Sequence, residues 1–477
     1  MQNDRITEYF EAHREEMITR LAALCAIPSV MGAPVEGKPF GFGVDAALNA
    51  VEDMFREDGF TTERAPDGSY LLATYGEGER TLGLFAHADV VPAGDGWTLT
   101  APFEPLRRDG MLVARGADDN KSGIIASLYL LRAVRELGLP TEGVRLMVFV
   151  GGNEESGMAD IKKFKSEHAV PDVSIVPDNS FPFSLGEKGR ATAWLASPPL
   201  LSDVLSITGG MAFNAVLDRA TATLTFTPAL AEALRTAIAG REEFSMDVDG
   251  PGNRITLTAR GRSAHAASPK NGINAGALLT ELLSACPCLS ADERGVLASA
   301  AIFLSSAYGG ALGIAGKDGP FGSRTTVGGM IRTRGGRIFI SQDIRYGAAL
   351  SWEEDLAPAV LDGADAEEWE VIVDSATDGF DLGDDAPLAA RLLADYRRLT
   401  GNAAAMPYRS FGGTYARHLP SAYSVGTSFG SCRPAEIPEG HGGAHAPDEY
   451  MTEDAFLAAL RILAEYVTTA ADFLRNA

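Results

Sequence analysis

The chain of 477 residues is too long for one ordinary domain and is expected to form two or three. Its 41 basic residues are outnumbered by 64 acidic ones, and the net charge of −23 lacks the basic surface that nucleic acids and anionic membranes require of a partner. A hydrophobic fraction of 45% is ordinary for a globular protein, so the composition also excludes a fibre or a disordered chain.

Residues 1–23 mix charged side chains with apolar ones at helical spacing, which is not the pattern of a signal peptide or a membrane anchor. No apolar run is long enough to span a bilayer. The cysteines are too few and too irregularly spaced for a disulfide framework, and buried free thiols are expected at Cys286 and Cys288. The others are Cys25 and Cys432. Together these features predict a cytoplasmic protein.

The first part of the chain alternates strand and helix signals. Short apolar runs predict strands at 81–86, 144–150 and 173–176. Between the first two, residues 121–137 have helical periodicity that stops at Gly138. This alternation is typical of a mostly parallel sheet with helices on its faces.

The middle of the chain has a different pattern. Alternating apolar and polar residues, typical of half-buried antiparallel strands, occur at 220–227, 254–259, 337–344 and 370–374. Helical periodicity occurs at 228–240 and 274–284, and the glycine-rich stretch 309–329 is predicted to be a loop. The middle therefore predicts a separate α+β domain inserted into the first one.

The first pattern returns near the C-terminus, with a helix at 388–400, a strand at 422–425 and a final helix from Glu453 onward. The predicted fold class is therefore α/β, a mostly parallel sheet flanked by helices, with an inserted α+β domain. We place the two parts of the first domain at 1–186 and 387–477, and the insertion at 187–386.

One histidine and several acidic residues lie at the ends of the predicted strands. The strand-end positions are His87, Asp89, Glu154, Glu155 and Asp178, and Asp119 precedes the predicted helix. In open α/β sheets the carboxyl ends of the strands are where ligands bind. An imidazole with several carboxylates suits zinc, with manganese or cobalt as alternatives.

Taken singly, each cluster has an ordinary structural explanation. A pair of glutamates ahead of a helix favours the helix dipole, and an aspartate at a strand end is common in turns. Their occurrence in series at strand ends is much harder to explain in that way. The series predicts one shared site.

The remaining histidines divide into two groups. His13 and His168 read as exposed helix residues, and His418 reads as a structural one. His265 in the insertion stays a candidate, as do His441 and His445 in a loop before the last helix.

These motifs resemble those of the aminoacylase/carboxypeptidase/dipeptidase superfamily of co-catalytic zinc peptidases, especially the PepV-like bacterial dipeptidases. The resemblance covers almost the whole chain, including the insertion. Its markers, in order, are His87-Ala-Asp89, Asp119-Asn-Lys121, Glu154-Glu155-Ser-Gly157, Pro177-Asp178, Gly186-Glu-Lys-Gly189, Ser263-Ala-His265, Gly412-Gly-Thr-Tyr415 and His445-Ala-Pro-Asp-Glu449.

The resemblance implies two divalent metal ions, with zinc expected and Mn²⁺ or Co²⁺ possible. Asp119 would bridge the two ions, His87 and Asp178 would complete one site, and Glu155 and His445 the other. His445 rather than His441 is the expected ligand, because only His445 has the Asp-Glu pair three residues on.

The resemblance also implies catalytic roles. Asp89 would hold the imidazole of His87 in its binding tautomer, and Glu154 would deprotonate the metal-bridging water as general base. The insertion would be a lid, in which His265 stabilises the oxyanion. Asn214 and Arg345 match positions that grip the substrate, and the planar fork of an arginine suits a C-terminal carboxylate.

The function expected from the resemblance is hydrolysis of unblocked dipeptides or short peptides. One alternative is a deacylase that cuts N-acyl or N-succinyl amino acids, and another is a catalytically silent metal-binding scaffold. The partner would be a small peptide, with neither nucleic acid nor membrane. Because PepV-like relatives use the extra lid segment to imitate a second subunit, we expect a monomer, with a homodimer as the alternative.

Overall fold

The computed structural model describes residues 2–199, 201–427, 429 and 433–476. It divides into two compact units: unit 1 comprises Met1–Gly186 and Leu382–Ala477, and unit 2 comprises Glu187–Asp381. Each unit has its own buried apolar cluster. Among the helices of the described ranges, none combines the length and apolarity needed to cross a membrane.

The first segment of unit 1 contains three helices, then five strands, and then helices and strands in alternation up to the strand Val173–Pro177. The helices are α1 (Gln2–Ala12), α2 (Arg14–Cys25), α3 (Phe42–Glu57), α4 (Lys121–Leu137) and α5 (Ala159–Glu167). The strands are β1 (Thr61–Arg64), β2 (Tyr70–Tyr75), β3 (Arg80–His87), β4 (Leu106–Arg108), β5 (Met111–Val113), β6 (Val144–Gly151), β7 (Val173–Pro177) and β8 (Ser184–Glu187).

Unit 2 is rich in antiparallel strands. Its strands are β9 (Gly189–Ala196), β10 (Val204–Gly209), β11 (Arg219–Thr225), β12 (Phe244–Asp249), β13 (Arg254–Arg260), β14 (Thr325–Val327), β15 (Ile331–Arg334), β16 (Arg337–Tyr346), β17 (Glu370–Thr377) and β18 (Phe380–Asp381). Its helices are α6 (Pro228–Ala237), α7 (Ala275–Ser284), α8 (Ala291–Ser305) and α9 (Ala357–Asp365), with short 3-10 turns at Pro269–Asn271, Gly310–Leu312 and Gly319–Phe321 and a π turn at Trp352–Leu356.

The final segment returns to unit 1. It contains α10 (Ala389–Thr400), β19 (Tyr408–Ser410), a 3-10 turn at Tyr415–His418, β20 (Ala422–Val425), β21 (Tyr450–Thr452) and α11 (Glu453–Asn476).

The main sheet of unit 1 has the order β1-β2-β6-β3-β7-β20-β8, with β19 beside β8. The central strands β6, β3, β7 and β20 run parallel to one another, whereas β2 and β8 are antiparallel to their neighbours. A small sheet, β21-β5-β4, joins the C-terminal segment to the loop before α4. The predicted α/β fold class, with a large sheet flanked by helices, is confirmed; the four central strands of that sheet are parallel and its outer strands β1, β2 and β8 are antiparallel to their neighbours.

The predicted helix at 121–137 coincides with α4. Its apolar residues pack into the unit 1 core, and Gly138 ends it in a left-handed conformation at φ 62°, which a glycine adopts without steric cost. The strands β3, β6 and β7 begin and end within one residue of their predicted limits. Sequence periodicity was therefore sufficient to position the elements that carry the candidate site.

The sheet of unit 2 has the order β12-β13-β11-β10-β15-β16-β9-β17, with β14 beside β16. The strands of this sheet that come first and last in the chain, β9 and β17, are therefore neighbours, with Arg190 opposite Thr377. In unit 1 the backbone N–H of Leu382 donates to the carbonyl of Leu185 at 2.8 Å. The points at which the chain leaves and re-enters unit 1 thus lie side by side.

The structure differs from the sequence predictions in several details. The second boundary lies after Asp381 rather than after Ala386, because the hydrogen bond of Leu382 joins that residue to unit 1. The stretch 309–329 is not all loop, since β14 pairs with β16 there. Cys286 is a buried free thiol but Cys288 is exposed, and Cys432 lies outside the described residues.

Candidate metal centre

The metal-binding residues predicted from the sequence all belong to unit 1. His87 is the last residue of β3, and Asp178 directly follows β7. Glu155 lies in the loop after β6, Asp119 lies immediately ahead of α4, and His445 lies in the loop before β21. Because β3, β6 and β7 are adjacent parallel strands, their carboxyl ends bring these side chains to one edge of the sheet.

His87 is fully buried, and its ring orientation is fixed by a neighbouring backbone group. Its Nδ1 lies 2.9 Å from the carbonyl oxygen of Asp89. Because a carbonyl oxygen can only accept, Nδ1 carries the proton and the lone pair of Nε2 is left for a ligand. That Nε2 lies 3.1 Å from Asp119 Oδ1 and 3.6 Å from Asp178 Oδ2.

The carboxylate of Asp119 lies between two imidazoles. Its Oδ1 is 3.1 Å from His87 Nε2, and its Oδ2 is 3.1 Å from His445 Nε2. His445 Nε2 is also 3.1 Å from Glu155 Oε2. The side chains therefore form two groups of three, one with His87 and Asp178 and one with His445 and Glu155, and Asp119 is common to both.

The turn that carries Asp119 is anchored on both sides. The peptide bond between Asp119 and Asn120 is cis. The Asn120 side chain donates to the carbonyl of Pro177 at 2.6 Å and accepts the N–H of His87 at 3.4 Å. The buried ammonium of Lys121 donates to two carbonyls at the C-terminal end of α2, those of Leu24 and Ile27.

Asp89 orients two parts of the cluster. Its carbonyl oxygen lies 2.9 Å from His87 Nδ1 and its carboxylate Oδ1 lies 3.5 Å from the same atom, so the carbonyl makes the closer contact with the ring. The carboxylate instead accepts the N–H groups of Glu154 and Glu155, each at 3.1 Å. Asp89 thus fixes the backbone of both glutamates.

Glu154 is buried beside the cluster, and within the described part of the chain its Oε1 has no hydrogen-bond partner. Burial raises the pKa of Glu154 well above its usual range. The charge of His87 lowers this pKa, and the charges of Asp178, Glu155 and Asp119 raise it. Burial and the charge of Asp119 likewise raise the pKa of Glu155 to about 7. A cation at this position would offset the crowding of carboxylates.

The donor set fits divalent cations. His87, Asp119 and Glu155 each offer one donor atom, and these atoms lie within 4.8 Å of one another; His87, Glu154 and Asp178 do the same. Imidazole nitrogens and carboxylate oxygens are the ligands of zinc and of manganese or cobalt. The residues present therefore fit the cofactor that the sequence predicts.

A second buried hydrogen-bond network supports the loop after β6, which carries Glu154 and Glu155. The carboxylate of Asp160 accepts the N–H of Asn153 at 2.7 Å and the hydroxyl of Tyr415 at 2.5 Å. A Cβ at Gly151 would lie 1.9 Å from that hydroxyl, so only glycine fits there. Sequence reasoning assigned no role to Asp160, because an acidic residue in the first turn of a helix reads as dipole placement.

His441 lies outside the two groups of three. Its Nδ1 is 2.7 Å from Asp448 Oδ2, and the same carboxylate accepts the backbone N–H and the hydroxyl of Thr98. These contacts fasten the loop that carries His445 to the segment after β3. Only His445 of the two loop histidines faces Asp119 and Glu155.

The predicted structural role of His418 can be tested through the pH dependence of the protein's stability. Burial, followed by the charges of Arg417, Lys165 and Lys162, lowers the pKa of His418 to about 4. In the unfolded chain His418 binds a proton below about pH 6.5, whereas in the folded protein it stays neutral until the pH approaches 4. The contribution of neutral His418 to stability is therefore fully present above about pH 6.5 and is lost as the pH falls towards 4. We expect the urea midpoint of the metal-free protein to fall more between pH 7 and pH 5 than that of His418→Gln. Equal falls would contradict the assignment.

The candidate substrate residues belong to unit 2. Asn214 and His265 lie on adjoining segments, because the carbonyl of Asn214 accepts the N–H of Ala266 at 2.8 Å. The N–H of Ala267 donates to His265 Nδ1 at 3.2 Å. A neutral His265 therefore carries its proton on Nε2 and is an N–H donor there.

Arg345 lies on β16 and is buried. Its Nε donates to Asp343 Oδ1 at 2.8 Å, and Asp343 Oδ2 accepts from Arg190 Nε at the same distance. Asp343 thus lies between two guanidinium groups, which lower its pKa against the effect of burial. This contact fixes the direction of the Arg345 side chain.

The sequence and the fold match known peptidases. A family model described as "Peptidase family M20/M25/M40" matches residues 83–469. "Putative dipeptidase YtjP" of Bacillus subtilis is 31% identical over 471 residues, which cover 95% of this chain and 97% of that protein.

Solved structures agree on the fold. Human carnosine dipeptidase 1 aligns with a TM-score of 0.58 at 15% identity, and the dipeptidase Dug1p of Saccharomyces cerevisiae with 0.59 at 14% identity. Each alignment covers 99% of both chains. At such identities the likeness shows a common fold over the whole chain.

Proposed function

Because the chain belongs to peptidase family M20/M25/M40, and is therefore a hydrolase that acts on peptide bonds, we propose that it is a metal-dependent dipeptidase that cleaves unblocked dipeptides or short peptides. The ligands would be His87, Asp178 and Asp119 for one cation and His445, Glu155 and Asp119 for the other. Zinc is the cation we expect.

One observation carries the proposal. The two carboxylate oxygens of Asp119 face two different imidazoles at the same distance of 3.1 Å, and each imidazole has a further carboxylate beside it. A carboxylate held in this way has one oxygen for each of two ligand groups. That arrangement supports a two-cation site of the kind that polarises a scissile carbonyl and lowers the pKa of a bound water.

Glu154 would act as the general base. It adjoins a ligand but lies outside the two groups of three around Asp119, and its Oε1 is buried with no partner among the described residues. A carboxylate with a raised pKa accepts a proton from the attacking water and can then donate it to the leaving amine. A silent scaffold would have no use for such a carboxylate, which favours the enzyme.

We assign the substrate contacts to unit 2. His265 would donate from Nε2 to the developing oxyanion, consistent with the tautomer that Ala267 imposes. Arg345, with its direction fixed by Asp343, would bind the C-terminal carboxylate of the peptide. Asn214, on the segment next to His265, would hold the peptide backbone.

The experiment is hydrolysis of a small dipeptide panel by chelator-stripped protein that is restored with Zn²⁺, Mn²⁺ or Co²⁺. Each dipeptide is compared with its N-acetylated and its C-amidated form. We expect metal-dependent cleavage of the unblocked peptides and weaker cleavage of the amides, because Arg345 then lacks its carboxylate.

The other outcomes are equally informative. Cleavage of the N-acetylated forms alone would overturn the dipeptidase proposal in favour of the deacylase. Metal binding without any turnover would point to the scaffold. Equal rates for amides and free acids would remove Arg345 from the substrate contacts.

A further inference from the structure

Glu449 is a fully buried carboxylate that contacts the turn carrying Asp119. Its Oε1 accepts three backbone N–H groups, those of Gly116 at 3.0 Å, Asp118 at 2.9 Å and Asp119 at 3.0 Å. The third of these donors belongs to the residue common to both ligand groups. The position of the Asp119 backbone therefore depends directly on Glu449.

The second oxygen of Glu449 is connected, through Arg115, to the loop that carries His445. Glu449 Oε2 accepts from Arg115 Nη1 at 2.6 Å, and both side chains are almost completely buried. Arg115 Nη2 donates to the carbonyl of His445 at 3.3 Å and to that of Ala93 at 3.2 Å. The guanidinium of Arg115 thus bonds both to the carboxylate of Glu449 and to the backbone of His445.

Backbone pairing holds this contact in register. The N–H of Ala114 donates to the carbonyl of Glu449 at 3.0 Å, and the next residue, Tyr450, pairs with Val113 between β21 and β5. The charged pair lies at the end of this short sheet. It is therefore built into the fold and is not a chance surface contact.

From these contacts we propose that the Arg115–Glu449 ion pair positions Asp119 and His445 for metal binding. Neither side chain contacts the reacting atoms, so both are positioning residues. The inference rests on the proposed function in taking Asp119 and His445 as metal ligands. Its test does not depend on hydrolysis.

The test measures Zn²⁺ affinity of the metal-free protein by competition with a chromogenic chelator. The variant is Glu449→Gln, whose amide cannot accept from the three N–H groups and from Arg115 at once. We expect the dissociation constant to rise about 10- to 100-fold, as is usual when a residue that orients metal ligands is lost.

Unit 2 offers a matched control. Glu293 is also a fully buried carboxylate, and its Oε1 accepts the N–H groups of Ser202, Asp203 and Val204. Glu293→Gln removes the same kind of contact in the other unit, so it should lower the thermal midpoint and leave Zn²⁺ affinity unchanged. If both variants bind Zn²⁺ like the parent, the ion pair is merely structural and the proposal is wrong.

A second variant covers the case in which Glu449→Gln does not fold. In Arg115→Lys the single ammonium can bond to Glu449 but cannot also reach the carbonyl of His445. We expect a smaller rise in the Zn²⁺ dissociation constant, and an unchanged value would overturn the proposal. If the parent binds Zn²⁺ but cleaves no dipeptide, the dipeptidase proposal fails while this one stands.

Discussion

Replacing Glu154 by glutamine should lower kcat for dipeptide hydrolysis by about 10³-fold while both metal equivalents stay bound, because general acid–base groups contribute roughly 10²- to 10⁴-fold. The amide keeps the shape of the side chain but cannot take a proton from water. Its backbone contact with Asp89 is untouched. Steady-state kinetics and metal analysis of the same dialysed sample measure both quantities.

The neighbouring glutamate is the matched control for this prediction. Glu155→Gln removes the carboxylate that lies 3.1 Å from His445, so it should lose metal as well as activity. If Glu154→Gln loses metal and Glu155→Gln retains it, the roles of the two residues are reversed. If Glu154→Gln keeps its activity, the general base lies elsewhere.

Replacing Asp119 by alanine should weaken the binding of both cations, since each group of three contains one of its oxygens. We expect each affinity to fall by more than about 100-fold, since losing even a residue that only orients ligands costs roughly 10- to 100-fold. Calorimetric titration of the metal-free protein with Zn²⁺ measures both affinities.

Asp118, in the same turn, controls for the change in local charge. Asp118→Ala keeps the backbone N–H that donates to Glu449 and leaves the Asp119 carboxylate in place. It should bind Zn²⁺ as the parent does. Loss of only one cation in Asp119→Ala would mean that Asp119 is not shared.

The elements around the site could be predicted because their signals are local. The apolar stripe of α4 and the glycine that ends it lie within one segment, and β20 coincides with its predicted range 422–425. The helix α8 was missed although Ser290 and Glu293 form a capping box at its start. Its small residues give weak periodicity, and tertiary packing rather than local pattern stabilises it.

The residues of the site likewise divide into those with a local signal in the sequence and those without one. His87, Glu154, Glu155 and Asp178 could be placed because each follows a recognisable strand. The contact of Glu449 with the Asp119 turn joins residues 330 positions apart and uses backbone N–H groups. Every non-proline residue has such a donor, so no residue type marks the partner in the sequence.

The insertion also bears on how the chain folds. A flexible loop of about 200 residues between Leu185 and Leu382 would cost unit 1 about 3 kcal/mol more in chain entropy than a turn of a few residues. Once β9 and β17 have paired, Arg190 and Thr377 are neighbours and the whole insertion acts as a short tether. Unit 2 therefore speeds closure of the central sheet in unit 1 if it folds first, and the C-terminal segment that supplies His445 can then dock as though it followed Leu185 directly.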